Sequence, residues 1–239
     1  MNLPYFYEKN IQEPVHTLSE ETSRHCVQVL RMKNGEQLQL TDGKGNLFFA
    51  TISDANKKHC RVIVDNLRRQ PDTEPGRKKI SVAISLLKNP SRFEWFLEKA
   101  AEIGVSEIIP LICEHTEKEN FRYERMNNIL ISAMLQSRQA WLCGLHQPKQ
   151  FENVINRTFA GLKLIAHCAE DKKENIADLT GNDNDVCMLI GPEGDFSRAE
   201  IQAATAKNFI PVSLGDTRLR SETAGLVAAT LLMNQRTTR

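Results

Sequence analysis

Leu214-Gly215-Asp216-Thr217-Arg218-Leu219-Arg220-Ser221-Glu222-Thr223-Ala224-Gly225 is the stretch whose reading decides the fold. It sets an arginine and a glutamate between an apolar strand, residues 210–214, and an almost wholly apolar helix, residues 224–233. A plain connector needs neither charge. About twenty residues upstream, a second strand at 186–190 runs into Gly191-Pro192-Glu193-Gly194 and then into another helix. Two strand-to-helix corners of similar design therefore lie close together. In an open α/β sheet ligands bind in the crevice outside the carboxyl ends of the strands, so both corners are expected to open onto one ligand site.

Each corner has its own physics. Gly191 and Gly194 allow backbone approaches that a Cβ would block, and Pro192 stiffens the loop between them. Ser197 and Glu200 form an S-x-x-E capping box, which predicts a helix from Ser197 to about Lys207. Gly215 repeats the device after the next strand, and Ser221 or Thr223 is placed to cap the last helix. Gly-Pro-x-Gly alone is a common turn string. Arg220 and Glu222, flanking a helix start that a lone serine would serve, turn the reading towards function.

Outward from this site the pattern is strand, helix, strand. Residues 80–87 form a buried strand, and Ser91-x-x-Glu94 is expected to cap a helix that Gly104 ends. A strand at 108–112, a helix at 124–141 and a strand at 162–166 follow. This alternation implies a parallel sheet covered on both faces. The first strand leads into Lys88-Asn89-Pro90-Ser91 with no G-x-G-x-x-G, which argues against an ordinary dinucleotide-type site there.

The N-terminal part reads differently. A short capped helix from Thr17-x-x-Glu20 to about Leu30 precedes strands at 37–40, 47–52 and 60–64, with a hairpin turn at Asp42-Gly43-Lys44-Gly45. This suggests a small β-barrel. The stretch 69–77 carries two prolines and a glycine without an apolar residue, so it is the natural linker, with the domain boundary near residue 73.

Composition bounds the function. The 239 residues are 41% hydrophobic with net charge +1, ordinary for a soluble protein and without the strong basic excess of many nucleic-acid binders. Local clusters such as Arg77-Lys78-Lys79 still offer phosphate contacts. No apolar run reaches the roughly 20 residues that span a bilayer, and no signal core follows Met1, so a cytoplasmic protein without membrane association is expected. The six cysteines lack C-x-x-C spacing, which fits reduced, mostly buried thiols and no metal. The final helix is apolar nearly all round, so a second subunit is its simplest cover, and a homodimer is expected.

These residues resemble a known family. Gly191-Pro192-Glu193-Gly194-x-Phe196-Ser197-x-x-Glu200, then Leu214-Gly215 and Leu219-Arg220-x-Glu222-Thr223-Ala224, are similar to the two signature blocks of the RsmE family. His25-x-x-x-Val29-Leu30-Arg31, Lys88, Arg92, Glu94 and Lys99-Ala100-x-Glu102-x-Gly104-Val105 extend the likeness along nearly the whole chain. The chain departs from the family pattern at Asp195, where glycine is usual, at Thr217, and at Leu135, where an acidic residue is usual.

The resemblance implies an α/β protein with a PUA-like RNA-binding β-barrel at 1–73 and a SPOUT methyltransferase domain with a deep trefoil knot at 74–239. It implies methylation of uridine N3 in bacterial 16S ribosomal RNA, within the small subunit, using S-adenosyl-L-methionine. The cofactor-binding set would be Gly191, Glu193, Gly194, Leu214, Gly215, Leu219, Arg220, Ser221, Thr223 and Ala224. Arg220 and Glu222 would be catalytic, with Arg220 stabilising charge on the base and Glu222 orienting Arg220 or accepting a proton. Arg24, His25, Arg31, Lys88, Arg92 and Arg138 would meet RNA. His167, after the strand at 162–166, reads more readily as a structural histidine than as a cofactor neighbour. Two other readings stay open: a non-catalytic RNA-binding assembly factor, and a methyltransferase of transfer RNA or of a ribose hydroxyl.

Overall fold

The computed structural model describes residues 3–69, 79–176, 178–179 and 185–234. The expected linker and the boundary near residue 73 fall almost wholly outside them. The chain divides into two compact units, Met1–Pro75 with Met134–Leu142, and Gly76–Ala133 with Cys143–Arg239.

The first unit contains β1 (Tyr5–Tyr7), β2 (Val15–Thr17), α1 (Glu20–Arg24), β3 (Gln37–Thr41), β4 (Asn46–Asp54) and β5 (Arg61–Arg69). Its strands form one sheet in the order β1-β3-β4-β5-β2, with β1 parallel to β3 and the other pairs antiparallel. Alternate residues of β4, Phe48, Ala50 and Ile52, point into a core shared with Leu38, Leu40 and Val62. The helix cap is Ser19, not Thr17, because Thr17 is paired to Arg61 in the sheet. The Ser19 amide and hydroxyl both donate to Glu8 Oε1, at 3.0 and 2.9 Å. The helix also stops at Arg24 and widens into a π-helical turn, His25–Val29.

The segment Met134–Leu142 is stitched into this unit. Tyr5 Oη donates to the Gln139 carbonyl at 2.9 Å, and Thr41 Oγ1 and the Gly45 amide donate to that of Ala140. Lys44 and Trp141 form a β-bridge. The Trp141 ring lies so close over Gly45 that a Cβ there would clash with it.

The second unit holds β6 (Ile80–Ser85), α2 (Pro90–Glu102), β7 (Glu107–Ile112), α3 (Tyr123–Gln136), β8 (Gly144–Leu145) and β9 (Lys149–Gln150). It continues with α4 (Phe151–Ile155), β10 (Leu162–Ala166), β11 (Glu174–Asn175), β12 (Val186–Ile190), α5 (Arg198–Ala206), β13 (Ile210–Ser213) and α6 (Ser221–Asn234). Every recorded pair in its sheet is parallel, in the order β11-β13-β10-β12-β6-β7-β8 with β9 also on β7. Each residue of β6 and β12 is buried, as a parallel strand covered on both faces requires.

Two helix ends differ from expectation. Asn89 caps α2 by accepting from the Ser91 amide at 3.0 Å, and Pro90 takes the first turn where its missing N–H costs nothing, so Ser91 lies inside the helix. α3 ends at Gln136 rather than Trp141 because Arg138 turns left-handed, at φ 56°. Gly104 ends α2 as predicted. At φ 89° it brings the Gly104 and Val105 amides back to the carbonyls of Ala101 and Ala100.

The C-terminal topology positions the site. β13 lies beyond β10 from β12, so the chain through α5 skips over a strand. α6 then packs on α2, β6 and β12, on the other side of β10. Residues 214–220 must therefore run back across the carboxyl ends of β10 and β12. α6 buries Gly225, Ala228, Ala229 and Leu232 and leaves Leu226, Val227, Leu231 and Met233 half-buried. No helix among the described residues is long and apolar enough to cross a membrane.

Candidate active site

A cavity of about 710 Å³ opens where the two corners meet, at the carboxyl ends of β10, β12 and β13. A small-molecule site commonly has a volume of roughly 300–1,000 Å³. Its wall includes Gly191 and Glu193 from the first corner and Leu214, Gly215, Leu219, Arg220, Ser221 and Ala224 from the second. Gly194 and Thr223, expected with them, are not in the wall. A Cβ on Gly194 would face His115 at 3.2 Å. Thr223 lies beyond the first residue of α6, since the helix begins at Ser221 rather than at a cap there.

Sequence reading set the third wall aside, taking His167 as a structural histidine more readily than a cofactor neighbour. Ala166, His167 and Cys168 follow β10 and line the cavity with Lys173 and Asp195. The signal was the topology: all strands of a parallel sheet end on the same side, so the strand at 162–166 delivers its next residues to the same crevice. His167 is buried, and neither ring nitrogen has a hydrogen-bond partner among the described residues. Asp195, at the position where glycine is usual, keeps a left-handed backbone at φ 66°. Aspartate tolerates that region better than most residues. Its carboxylate accepts from the Cys168 amide at 2.7 Å, tying the first corner to the end of β10.

The charged residues fall into two groups. Arg220 is exposed and makes no ion pair among the described residues. Glu222 is 7% exposed, and its recorded ion pair is with Arg92 Nε at 3.7 Å, not with Arg220. Its side chain leaves from the first turn of α6 on the face that packs against α2, which puts Arg92 within reach. The other carboxylate oxygen, Oε2, is buried without a hydrogen-bond partner among the described residues. Lys88 Nζ pairs with Glu117 at 2.7 Å, and the Lys88 amide donates to Glu193 Oε1. The hydrogen bond to Glu117 pushes the Lys88 pKa up.

In the first unit Arg24, His25 and Arg31 are exposed around the π-helical turn, beside exposed Val29 and Leu30. The His25 ring stacks edge-on against Phe6. Arg138 Nη2 donates to the Leu3 carbonyl at 3.3 Å. Residues expected to meet RNA thus lie in both units, and Lys88, Arg92 and Arg138 already have protein partners. No cluster of three or more metal-ligating side chains occurs among the described residues.

Comparison with known proteins accounts for this geometry. Residues 74–233 match the RNA methyltransferase domain model and residues 18–65 the RNA methyltransferase PUA domain model. The ribosomal RNA small subunit methyltransferase E of Mycobacterium bovis is 31% identical over 216 residues, covering 85% of this chain and 80% of that protein. The chain belongs to this methyltransferase family. Among solved structures, a probable rRNA-methyltransferase from Porphyromonas gingivalis is 39% identical with TM-score 0.91, covering 98% of both chains. A putative methyltransferase from Legionella pneumophila, in complex with bound SAM, is 32% identical with TM-score 0.86 and the same coverage of both chains. The N-terminal unit of this methyltransferase is accordingly a PUA domain, and its parallel-sheet unit is the methyltransferase domain.

Proposed function

We propose that this chain transfers the methyl group of S-adenosyl-L-methionine to N3 of a uridine in bacterial 16S ribosomal RNA. The observation that carries the reading is the cavity at the carboxyl ends of β10, β12 and β13, walled by both signature corners. Its residues fit the cofactor. Ile190, Val212 and Leu214 offer apolar surface, the bare backbone of Gly191 and Gly215 offers amides and carbonyls, and Arg218 and Arg220 bring positive charge. When bound there, S-adenosyl-L-methionine supplies an electrophilic methyl group.

The remaining chemistry falls to the protein. Uridine N3 carries a weakly acidic proton, so it becomes a nucleophile only when that proton leaves and the negative charge on the base is stabilised. Arg220, unpaired at the cavity wall, suits that stabilising role. Glu222 stands behind the cavity wall, where Oε1 pairs with Arg92 and Oε2 is buried with no partner among the described residues. We assign Glu222 the positioning of Arg92 instead of Arg220. Arg24, His25 and Arg31 of the PUA domain would grip RNA, with Lys88, Arg92 and Arg138 as further contacts.

The same reading covers assembly. The return of residues 214–220 across two strand ends supports a trefoil knot, and the half-buried Leu226, Val227, Leu231 and Met233 of α6 suit a homodimer interface. The enzyme would work in the cytoplasm on the small subunit or its precursor. Nucleoside analysis of 16S RNA from a strain lacking this gene tests the activity. Loss of one N3-methyluridine, restored by the gene, is expected; an unchanged nucleoside profile, or loss of a mark in transfer RNA or on a ribose, would overturn it.

A further inference from the structure

Among the described residues of the cavity wall, one side chain has buried polar atoms without a hydrogen-bond partner. His167 follows β10, is 7% exposed, and has no hydrogen-bond partner at Nδ1 or Nε2 among the described residues. Burying a polar group without a partner costs stability, and an apolar side chain of similar volume would fill the space at lower cost. The backbone at this point is also fixed, since the neighbouring Cys168 amide is held by Asp195 at 2.7 Å. Histidine is therefore a poor choice for packing alone, at a place framed by cavity residues on both sides.

We propose that His167 is a specificity contact for the nucleoside part of S-adenosyl-L-methionine, giving one hydrogen bond and accepting another. This rests on the cavity being the cofactor site. Charge selects the nucleoside end. Burial, first, and the Lys173 charge hold the imidazole below its ordinary pKa, with Arg198 acting in the same direction and Asp195 and Asp171 opposing. The ring is thus neutral at neutral pH and carries one donor and one acceptor. The methionine end also carries a donor and an acceptor, its ammonium and its carboxylate, but both are full charges that a neutral ring does not compensate. The ribose hydroxyls and the adenine edge each present both functions. Both ring nitrogens are buried, so the contact requires the ring to turn toward the occupant, which the broad histidine χ2 torsion allows.

The test is calorimetric titration of the full-length protein with S-adenosyl-L-methionine, in the wild type, His167→Leu and His167→Asn, from pH 5 to 8, with nitrogen NMR of labelled histidine rings. His167→Leu should bind on the order of tenfold more weakly, the scale of a lost hydrogen-bonded contact. It should melt no lower than the wild type without ligand, because an unpartnered polar group has been removed. His167→Asn, which keeps a donor and an acceptor, should recover part of the affinity. Wild-type affinity should fall as the pH drops through the lowered pKa of His167, and this step should be missing from His167→Leu. Asp195, Asp171, Lys173 and Arg198 are common to both proteins, so the difference isolates the ring.

Equal affinity in wild type and His167→Leu, or ring signals of His167 unmoved at saturating ligand, would overturn the proposal and leave the cofactor site standing. The second readout uses the wild type alone and holds even if a variant fails to fold. A wild type that binds no S-adenosyl-L-methionine would remove the cofactor site and this contact with it.

Discussion

Between β12 and α5 the chain is fastened along its whole length, whereas between β13 and α6 it is nearly free. In the first corner Glu193 accepts from the Lys88 amide, Asp195 accepts from the Cys168 amide, and the Asp195 carbonyl meets His115 Nδ1 at 2.9 Å. Ser197 and Glu200 close a full capping box, and Glu200 Oε1 also accepts from the Glu114 amide. In the second corner, among the described residues, the Ser213 hydroxyl bonds only to the backbone of Gly215, and Gly215 to Arg218 are exposed. Even the glycines differ. Gly191 is needed for room, with Phe196 3.1 Å from where its Cβ would sit, and Gly215 for its φ of 130° with open space around it. One corner is a preformed wall; the other is a compliant arm carrying Arg220.

The sharpest way to break this comparison is Arg220→Ala. Removing a charge stabiliser from a reacting centre commonly costs a hundredfold or more in rate. Single-turnover methylation of 16S RNA should drop on that order, with cofactor affinity much less affected. Transfer at the wild-type rate would take Arg220 out of the chemistry and leave the arm without a role.

Substitution of the two glycines gives the next largest effect. Gly215→Val forces a side chain into a backbone region that costs about 1–3 kcal/mol, but an exposed arm relieves this by moving, so the loss should appear in cofactor affinity measured by calorimetry. Gly191→Ala presses on buried Phe196 and should instead lower the melting temperature. The reverse pattern would mean that the arm, not the wall, is the rigid part. The smallest effect belongs to Ser197→Ala, which removes a helix cap and should cost about 1 kcal/mol of stability in chemical denaturation, against nearly nothing for Ser213→Ala.

Much of the second unit was legible because its elements obey local rules. The S-x-x-E box starting α5, the glycine ending α2 and the continuous apolar runs of β6 and β12 are each specified within a few residues. The signature corners were equally readable. What escaped required distant partners. Thr17 has the spacing of a cap but is committed to a strand by Arg61, and Ser19 gains the role through Glu8. Glu222 sits two residues from Arg220 in sequence, yet α6 turns it towards α2 and Arg92. His167 gave no motif at all; only the burial of both ring nitrogens beside a cavity makes it conspicuous. The helix expected to reach Trp141 stops at the left-handed turn of Arg138, and Trp141 instead bridges to Lys44 and lies over Gly45.

That last contact bears on how the polypeptide is made. The N-terminal domain cannot be completed when its own strands leave the ribosome, because the carbonyls awaited by Tyr5, Thr41 and Gly45 belong to Gln139 and Ala140. Translation must first deliver β6, α2, β7 and α3 before the closing segment emerges. A gene fragment cut at the linker would encode a sheet lacking its final strip, and an RNA-binding module excised for separate study should extend to Leu142 or carry residues 134–142 grafted onto it.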